Sequence, residues 1–205
     1  MVTIGTFDGV HFGHQQILKK LVTNAKKEQK KSVLLTFFPH PRMVLQKESS
    51  LELINTIHEK SALLEKTGLD YLIIHPFSKE FSRLTALEFV RDVLVNQLNT
   101  FKLIIGYDHH FGKNREGNIV QLTEYSELYD FSVEEIPAQD IDEVSISSTK
   151  VRKALASGHL KTANNYLGYN YMLTGTVVNG KQLGGKIGFP TANIHIKETY
   201  KLIPK

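Results

Sequence analysis

Five short apolar runs, each followed by a stretch with helical periodicity, organise the first 156 residues. Val2-Thr3-Ile4 reads as a strand and leads to a helix expected from Gly13 to Gln29. Ser32 to Phe38 (SVLLTFF) is unbroken and rich in strand formers, the mark of a strand buried on both faces. A helix over Glu59–Lys66 precedes a second buried strand at Tyr71–Ile74. Thr85 to Glu88 forms a capping box that opens a helix to Leu98. Phe101–Ile105 and Phe131–Ile136 are further strands, with a helix at Asn118–Leu128 between them. Strands alternating with helices predict an α/β fold built on a doubly wound parallel sheet, helices on both faces. Such a sheet takes its ligands beyond the carboxyl ends of its strands.

The pattern changes near residue 168. Helices are expected at Thr149–Ala156 and Leu160–Leu167, stopped by Gly158 and Gly168. From Tyr169 the text turns β-like and glycine-rich, with Tyr171–Val178 as strand and Asn179-Gly180 as a hairpin signal. We therefore expect one domain over 1–168 and a second, incomplete one over 169–205, whose 37 residues are too few for a core of their own. The absence of cysteine excludes a disulfide framework and a cysteine zinc site. No apolar run is long enough to span a bilayer and no signal peptide opens the chain, so a cytoplasmic protein without a membrane partner is expected. A net charge of +4 suits phosphorylated small molecules and argues only weakly for nucleic acid, which is not an expected partner. The densest basic set, Lys19, Lys20, Lys26, Lys27, Lys30 and Lys31, interleaves with Ile17, Leu18, Leu21, Val22 and Ala25 and reads as the solvated face of one helix. Oligomeric state is not legible.

The chemistry is concentrated after the strands. The first strand runs into Gly5-Thr6-Phe7-Asp8-Gly9-Val10-His11-Phe12-Gly13-His14. Glycines admit a ligand close to the backbone, and two imidazoles at a helix start, beside its free N–H groups, suit phosphoryl oxygens. Some 130 residues on, Ile146-Ser147-Ser148-Thr149-Lys150-Val151-Arg152 gathers three hydroxyls and two cations on another helix start, equipment for a polyphosphate. Phe38-Pro39-His40-Pro41 follows the second strand, and Gly106-Tyr107-Asp108-His109-His110-Phe111-Gly112 the fourth; stiff prolines and aromatic faces there suit a flat ring. Gly180 to Lys186 approaches a Walker A loop, but Ile187 stands where the magnesium-binding hydroxyl belongs and Pro190 forbids the helix. His109 and His110 lack a third ligand at metal spacing.

His11, Gly13, His14 and then Ile146 to Thr149 with Arg152 resemble the HxGH and ISSTxxR signatures of the nucleotidyltransferase superfamily, a Rossmann-like fold. GTFDGVHFGHQ, the FPHP turn and the approach from Asp142 to Arg152 are similar to those of bacterial FAD synthetases. Gly175–Gly180 and Gly188-Phe189-Pro190-Thr191-Ala192-Asn193 resemble the opening of the riboflavin kinase domain, a β-barrel that follows in the bifunctional enzymes. Gly184-Gly185-Lys186-Ile187 departs from the Gly-Arg usual before that segment. The resemblance implies an enzyme transferring AMP from ATP to FMN, giving FAD and pyrophosphate, with Mg²⁺ on the phosphates. It assigns catalysis to His11, His14, Ser148, Thr149 and Arg152 and ATP binding to Gly5, Thr6, Phe7, Asp8, Gly13 and Ser147. The flavin falls to Pro39, His40, Pro41, Tyr107, Asp108 and Phe111, and a kinase-type magnesium to Thr191 and Asn193. Kinase activity is not expected from the 205 residues alone. Another phosphorylated acceptor on the same fold, or a non-catalytic flavin- or nucleotide-binding protein, are the alternatives.

Overall fold

The structure, a computed structural model, describes residues 1–46, 51–107, 109–137, 146–180 and 183–204. Five strands form one parallel sheet: β1 (Val2–Ile4), β2 (Val33–Phe38), β3 (Tyr71–Pro76), β4 (Lys102–Gly106) and β5 (Ser132–Ile136). Their order is β3-β2-β1-β4-β5. The chain therefore winds outward from β1 in one direction and then returns to wind in the other. The reversal lies between β1 and β4, where doubly wound sheets open their ligand crevice.

Side-chain alternation explains why the sheet needs cover on both faces. Val2, Ile4, Leu35, Leu103 and Ile105 pack on one face with Phe89, Val90, Val93, Leu94 and Leu122. Leu34 and Ile104 point the other way, onto Leu18, Leu21 and Ala25 of α1 (Phe12–Lys27) and Leu64 of α3 (Ile57–Glu65). A short helix, α2 (Pro41–Leu45), follows β2. The Thr85 capping box starts α4 (Ala86–Glu88), which continues as a π-helical stretch over Phe89–Gln97. With α5 (Ile119–Leu128) it covers the first face.

Two expectations are corrected. The strand at 71–74 is not buried: Tyr71 is 54% and Ile74 40% exposed. β3 has a single neighbour, β2, so it is an edge strand with incomplete cover despite its apolar sequence. Nor does Asn179-Gly180 turn a hairpin. β6 (Thr176–Val178) pairs antiparallel with β7 (Asn193–His195), and a connection over 179–192 carries a turn of helix, α8 (Leu183–Lys186). Glycine and proline at Gly188 and Pro190 delay a returning strand until Asn193.

The helices α6 (Ser148–Ala156) and α7 (Leu160–Leu167) enclose Ile54 and Leu202 with Val151, Leu155, Ala163 and Leu167. Gly168, left-handed at φ +75°, ends α7. The C-terminal stretch then returns to the sheet domain. Lys201 pairs with Leu53 in a parallel bridge, and its fully buried ammonium bonds Glu59 (2.7 Å), the Ile54 carbonyl (2.6 Å) and the Met172 carbonyl (3.0 Å). Among the described residues no helix is long and apolar enough to cross a membrane.

Candidate active site

The turn after β1 is shaped by its own residues. A Cβ at Gly5 would come within 2.9 Å of the Phe7 ring, so glycine lets that ring fold back. Phe7, at φ +45° and buried, lies 4.6 Å from the His14 ring. His14 in turn stacks on His11, centroids 3.6 Å apart at 17°. His11 is the N-cap of α1: its Nδ1 accepts from the His14 backbone N–H at 3.4 Å. An accepting Nδ1 leaves the ring proton on Nε2. Burial, then Arg152, pushes the His11 imidazole down to about 4. Burial, then His11 and Lys60, holds His14 well below its usual value. Both rings are therefore neutral near pH 7 and offer N–H groups rather than positive charge. His14 Nδ1 is enclosed without a hydrogen-bond partner among the described residues.

Asp8 ties the site together. Its buried carboxylate accepts from the backbone N–H of Ile54 (3.0 Å) and Asn55 (3.4 Å) and pairs with Arg152. Arg152 Nε also donates to the Glu52 carbonyl at 3.0 Å. Ser148 Oγ donates to the Asp8 carbonyl at 2.8 Å. The ISSTxxR helix start is thus docked on the GTFDG turn across 140 residues of sequence, which brings the two motifs to one place. Asp8, expected at ATP, faces a cation and backbone donors. Ser147 caps its own helix, accepting from Lys150 N at 3.3 Å, while Thr149 is exposed at the same helix start. Residues 142–145 of the approach lie outside the described residues.

His40 caps α2, its Nδ1 accepting from Arg42 N at 3.1 Å, with Pro41 in the first turn and Pro39 exposed. Burial, then Arg152 and Lys60, lowers His40 to about 4. The FPHP turn therefore faces the same two cations as the histidine pair. Tyr107 is half exposed beyond β4. Asp108 lies outside the described residues. Phe111, read from sequence as a flavin-facing ring, is 8% exposed and packs in the core 5.7 Å from Phe89. A Cβ on Gly117 would come within 2.6 Å of it. A backbone bridge between Phe111 and Gly117 turns the ring inward.

Lys60 escaped the sequence reading. It is buried, and its ammonium donates to the Thr6 carbonyl and to Thr36 Oγ1, both at 3.1 Å. Only an i,i+4 helical pattern surrounds it in sequence, so nothing local distinguishes it from a surface lysine.

A magnesium ion would have to be held by the substrate's phosphates and by neutral oxygen donors such as the Thr191 hydroxyl and the Asn193 amide. Among the described residues no three His, Cys, Asp or Glu side chains gather to hold a metal. Asp8, the carboxylate at the histidine site, is taken by Arg152. Thr191 and Asn193 are exposed, and the Asn193 amide lies against Gly180.

The FAD synthetase family model matches residues 1–150, and the riboflavin kinase model matches 167–205. The chain is 37% identical over 202 residues to the bifunctional riboflavin kinase/FMN adenylyltransferase of Buchnera aphidicola subsp. Schizaphis graminum, covering 98% of this chain and 65% of that protein. It is 37% identical over 206 residues to the protein of the same name from Listeria monocytogenes, covering 100% of this chain and 65% of that one. The chain thus spans about 65% of the length of these relatives. A solved structure described as a macrolide-efflux protein from Streptococcus pneumoniae superposes with a TM-score of 0.87 at 30% identity, covering 99% of this chain and 66% of that one.

Proposed function

The chain belongs to the FAD synthetase family, and from that premise we propose that it transfers AMP from ATP to FMN, releasing FAD and pyrophosphate. The observation that carries this reading is the docking of Ser148 and Arg152 onto Asp8, which sets the ISSTxxR helix start beside the stacked histidines. An FMN phosphate oxygen attacks the α-phosphorus of ATP. The new P–O bond forms as the bond to the β-phosphate oxygen breaks, and pyrophosphate leaves. The nucleophile is already anionic, so no protein base is required, and catalysis reduces to positioning and stabilising charge. Neutral His11 and His14 donate N–H groups to phosphate oxygens, His14 at the α-phosphate. The start of α6, with Ser148, Thr149 and Arg152, receives the departing β- and γ-phosphates. Asp8 acts by holding Arg152 and the turn. A divalent cation enters on the triphosphate, and no step here is routed through it. His40 with Pro39 and Pro41 borders the flavin side. Riboflavin phosphorylation, the second activity in the relatives' names, would fall to the region that the riboflavin kinase model matches, residues 167–205.

The test is FAD formation from ATP, Mg²⁺ and FMN. Wild type should make FAD, and His14→Ala should be slower by on the order of 10². Since the ring of His11 is neutral above about pH 4, an inflection of the rate near pH 6 should come from the substrates' phosphate groups and persist in His11→Gln. Failure of wild type to make FAD, or His14→Ala at near-normal rate, overturns the proposal. Pantetheine phosphate or nicotinamide mononucleotide in place of FMN should give no product.

A further inference from the structure

Two lysines are buried among the described residues, and they are treated differently. Lys201 has a carboxylate, Glu59, at 2.7 Å. Lys60, the next residue in sequence after Glu59, has no carboxylate within ion-pair distance among the described residues, although it is only 7% exposed. Its partners are a carbonyl and a hydroxyl, Thr6 O and Thr36 Oγ1. An ammonium has three donors, so one remains. Burying a cation without a counterion is costly, so an anion brought to the remaining donor would be strongly favoured.

The position of that charge is informative. Thr6 belongs to the turn that presents the histidine pair, and Thr36 lies near the carboxyl end of β2, just before the FPHP turn. Lys60 acts electrostatically on both His14 and His40. It stands where the nucleotide half of the site meets the flavin half. Joining two phosphates requires two anions to approach each other, and a cation at their junction removes the repulsion between them.

We propose that Lys60 is a catalytic phosphate ligand, its ammonium holding the phosphate of the acceptor FMN against the α-phosphorus of ATP. The inference rests on the adenylyl-transfer reading and deepens it. The charged and titratable groups facing Lys60 are Asp8 of the first turn, His14 of α1 and His40 of the FPHP turn, with Arg152 of α6 beyond His40. Burial lowers the free ammonium to about 8, with Asp8 opposing. The protonated form is the active one, so kcat/KM for FMN should hold below pH 8 and fall as pH rises through that value.

The experiment measures FAD formation by wild type, Lys60→Met and Lys60→Arg from pH 6 to 10, with thermal unfolding as the fold control. Lys60→Met should lose on the order of 10² in kcat/KM for FMN. Lys60→Arg should recover part of it and lose the alkaline fall near pH 8, because a guanidinium stays charged. If Lys60→Met does not fold, the profile of Lys60→Arg decides alone. A folded Lys60→Met within threefold of wild type, or a Lys60→Arg profile falling at the wild-type midpoint, overturns the inference and leaves the adenylyl-transfer reading intact. A wild type that makes no FAD overturns that reading, and the role of Lys60 with it.

Discussion

β4 and β7 are both short strands with an isoleucine at their centre, yet they live in opposite worlds. Ile104 in β4 is fully buried, whereas Ile194 in β7 is 58% exposed. β4 has a strand on each side and helices over both faces. β7 has one partner, β6, and every residue of both strands is exposed. The sheet region is thus held by its own packing. The region after Gly168 is held at its two ends: Tyr169 donates to the Gly9 carbonyl at 2.6 Å, and Lys201 is sunk beside Glu59. What anchors this part of the chain is a clasp onto the sheet region, not the ribbon between.

The largest expected effect breaks that clasp. Glu59→Gln has one accepting oxygen where the carboxylate has two, so it can serve the Thr56 or the Thr174 N–H group but not both, and it leaves the Lys201 ammonium buried without its carboxylate. Breaking one half of such a pair costs about 3–5 kcal/mol. Chemical denaturation should show that loss, and the double variant Glu59→Gln/Lys201→Met should recover part of it. A loss under about 1 kcal/mol would mean the pair is a surface-type contact and the comparison is drawn in the wrong place.

Next in size is the acid sensitivity of the sheet region's own site. The folded pKa of His11 lies below the unfolded value, at about 4 against 6.5. The unfolded chain therefore binds the extra proton first, and stability present above pH 6.5 is lost as pH falls toward 4. At 1.36 kcal/mol per unit this is about 3 kcal/mol. His11→Gln, which keeps a side-chain acceptor for the cap, should flatten the stability profile between pH 4 and 6.5 by that amount. A profile as steep as wild type would place the acid sensitivity elsewhere, in His14 and His40.

How far sequence alone reaches follows the same divide. The sheet was legible because most of its strands are short apolar runs and its helices carry a 3.6-residue period. The two motifs were legible because each is a local cluster of residues. What joins them was not: Asp8 reaches Ile54 and Arg152, 46 and 144 residues away, and no window of sequence contains such a contact. Lys60 was missed for the same reason, and the neutrality of His11 and His14 because burial, not residue type, sets it. β3 failed the other way. Its composition is that of a central strand, but strand order makes it an edge. Phe111, read from sequence as a ring for a ligand, also packs in the core, where the lack of a side chain at Gly117 makes room for it.

Gly168 marks the junction of the two regions. Its φ of +75° costs an L-residue about 1–2 kcal/mol, and a Cβ there would also meet the Gln15 amide at 3.4 Å. Gln15 bonds the carbonyls of Val10 and Leu167 at 2.8 Å each, and a Cβ at ordinary contact distance leaves both bonds in place, so the cost is one of backbone conformation. Gly168→Ala should lower stability by about 1 kcal/mol or more. A neutral result would show the junction free to rearrange.

The smallest effect is the sharpest test of the contrast. Val177 at the centre of β6 is 67% exposed, and its strand partner Ile194 nearly as much. Truncating an apolar side chain costs stability only in proportion to the surface it has removed from water and the cavity it leaves. At Val177 both terms are small. Val177→Ser should therefore change unfolding free energy by less than about 0.5 kcal/mol, while Leu103→Ala in β4 should cost about 2–5. Equality of the two would require a cover over the ribbon that the described residues do not supply. A loss above 1 kcal/mol at Val177 would accordingly identify β6 and β7 as the inner face of a larger packed unit, and the difference between Ile104 and Ile194 as one of neighbours present rather than of strand type.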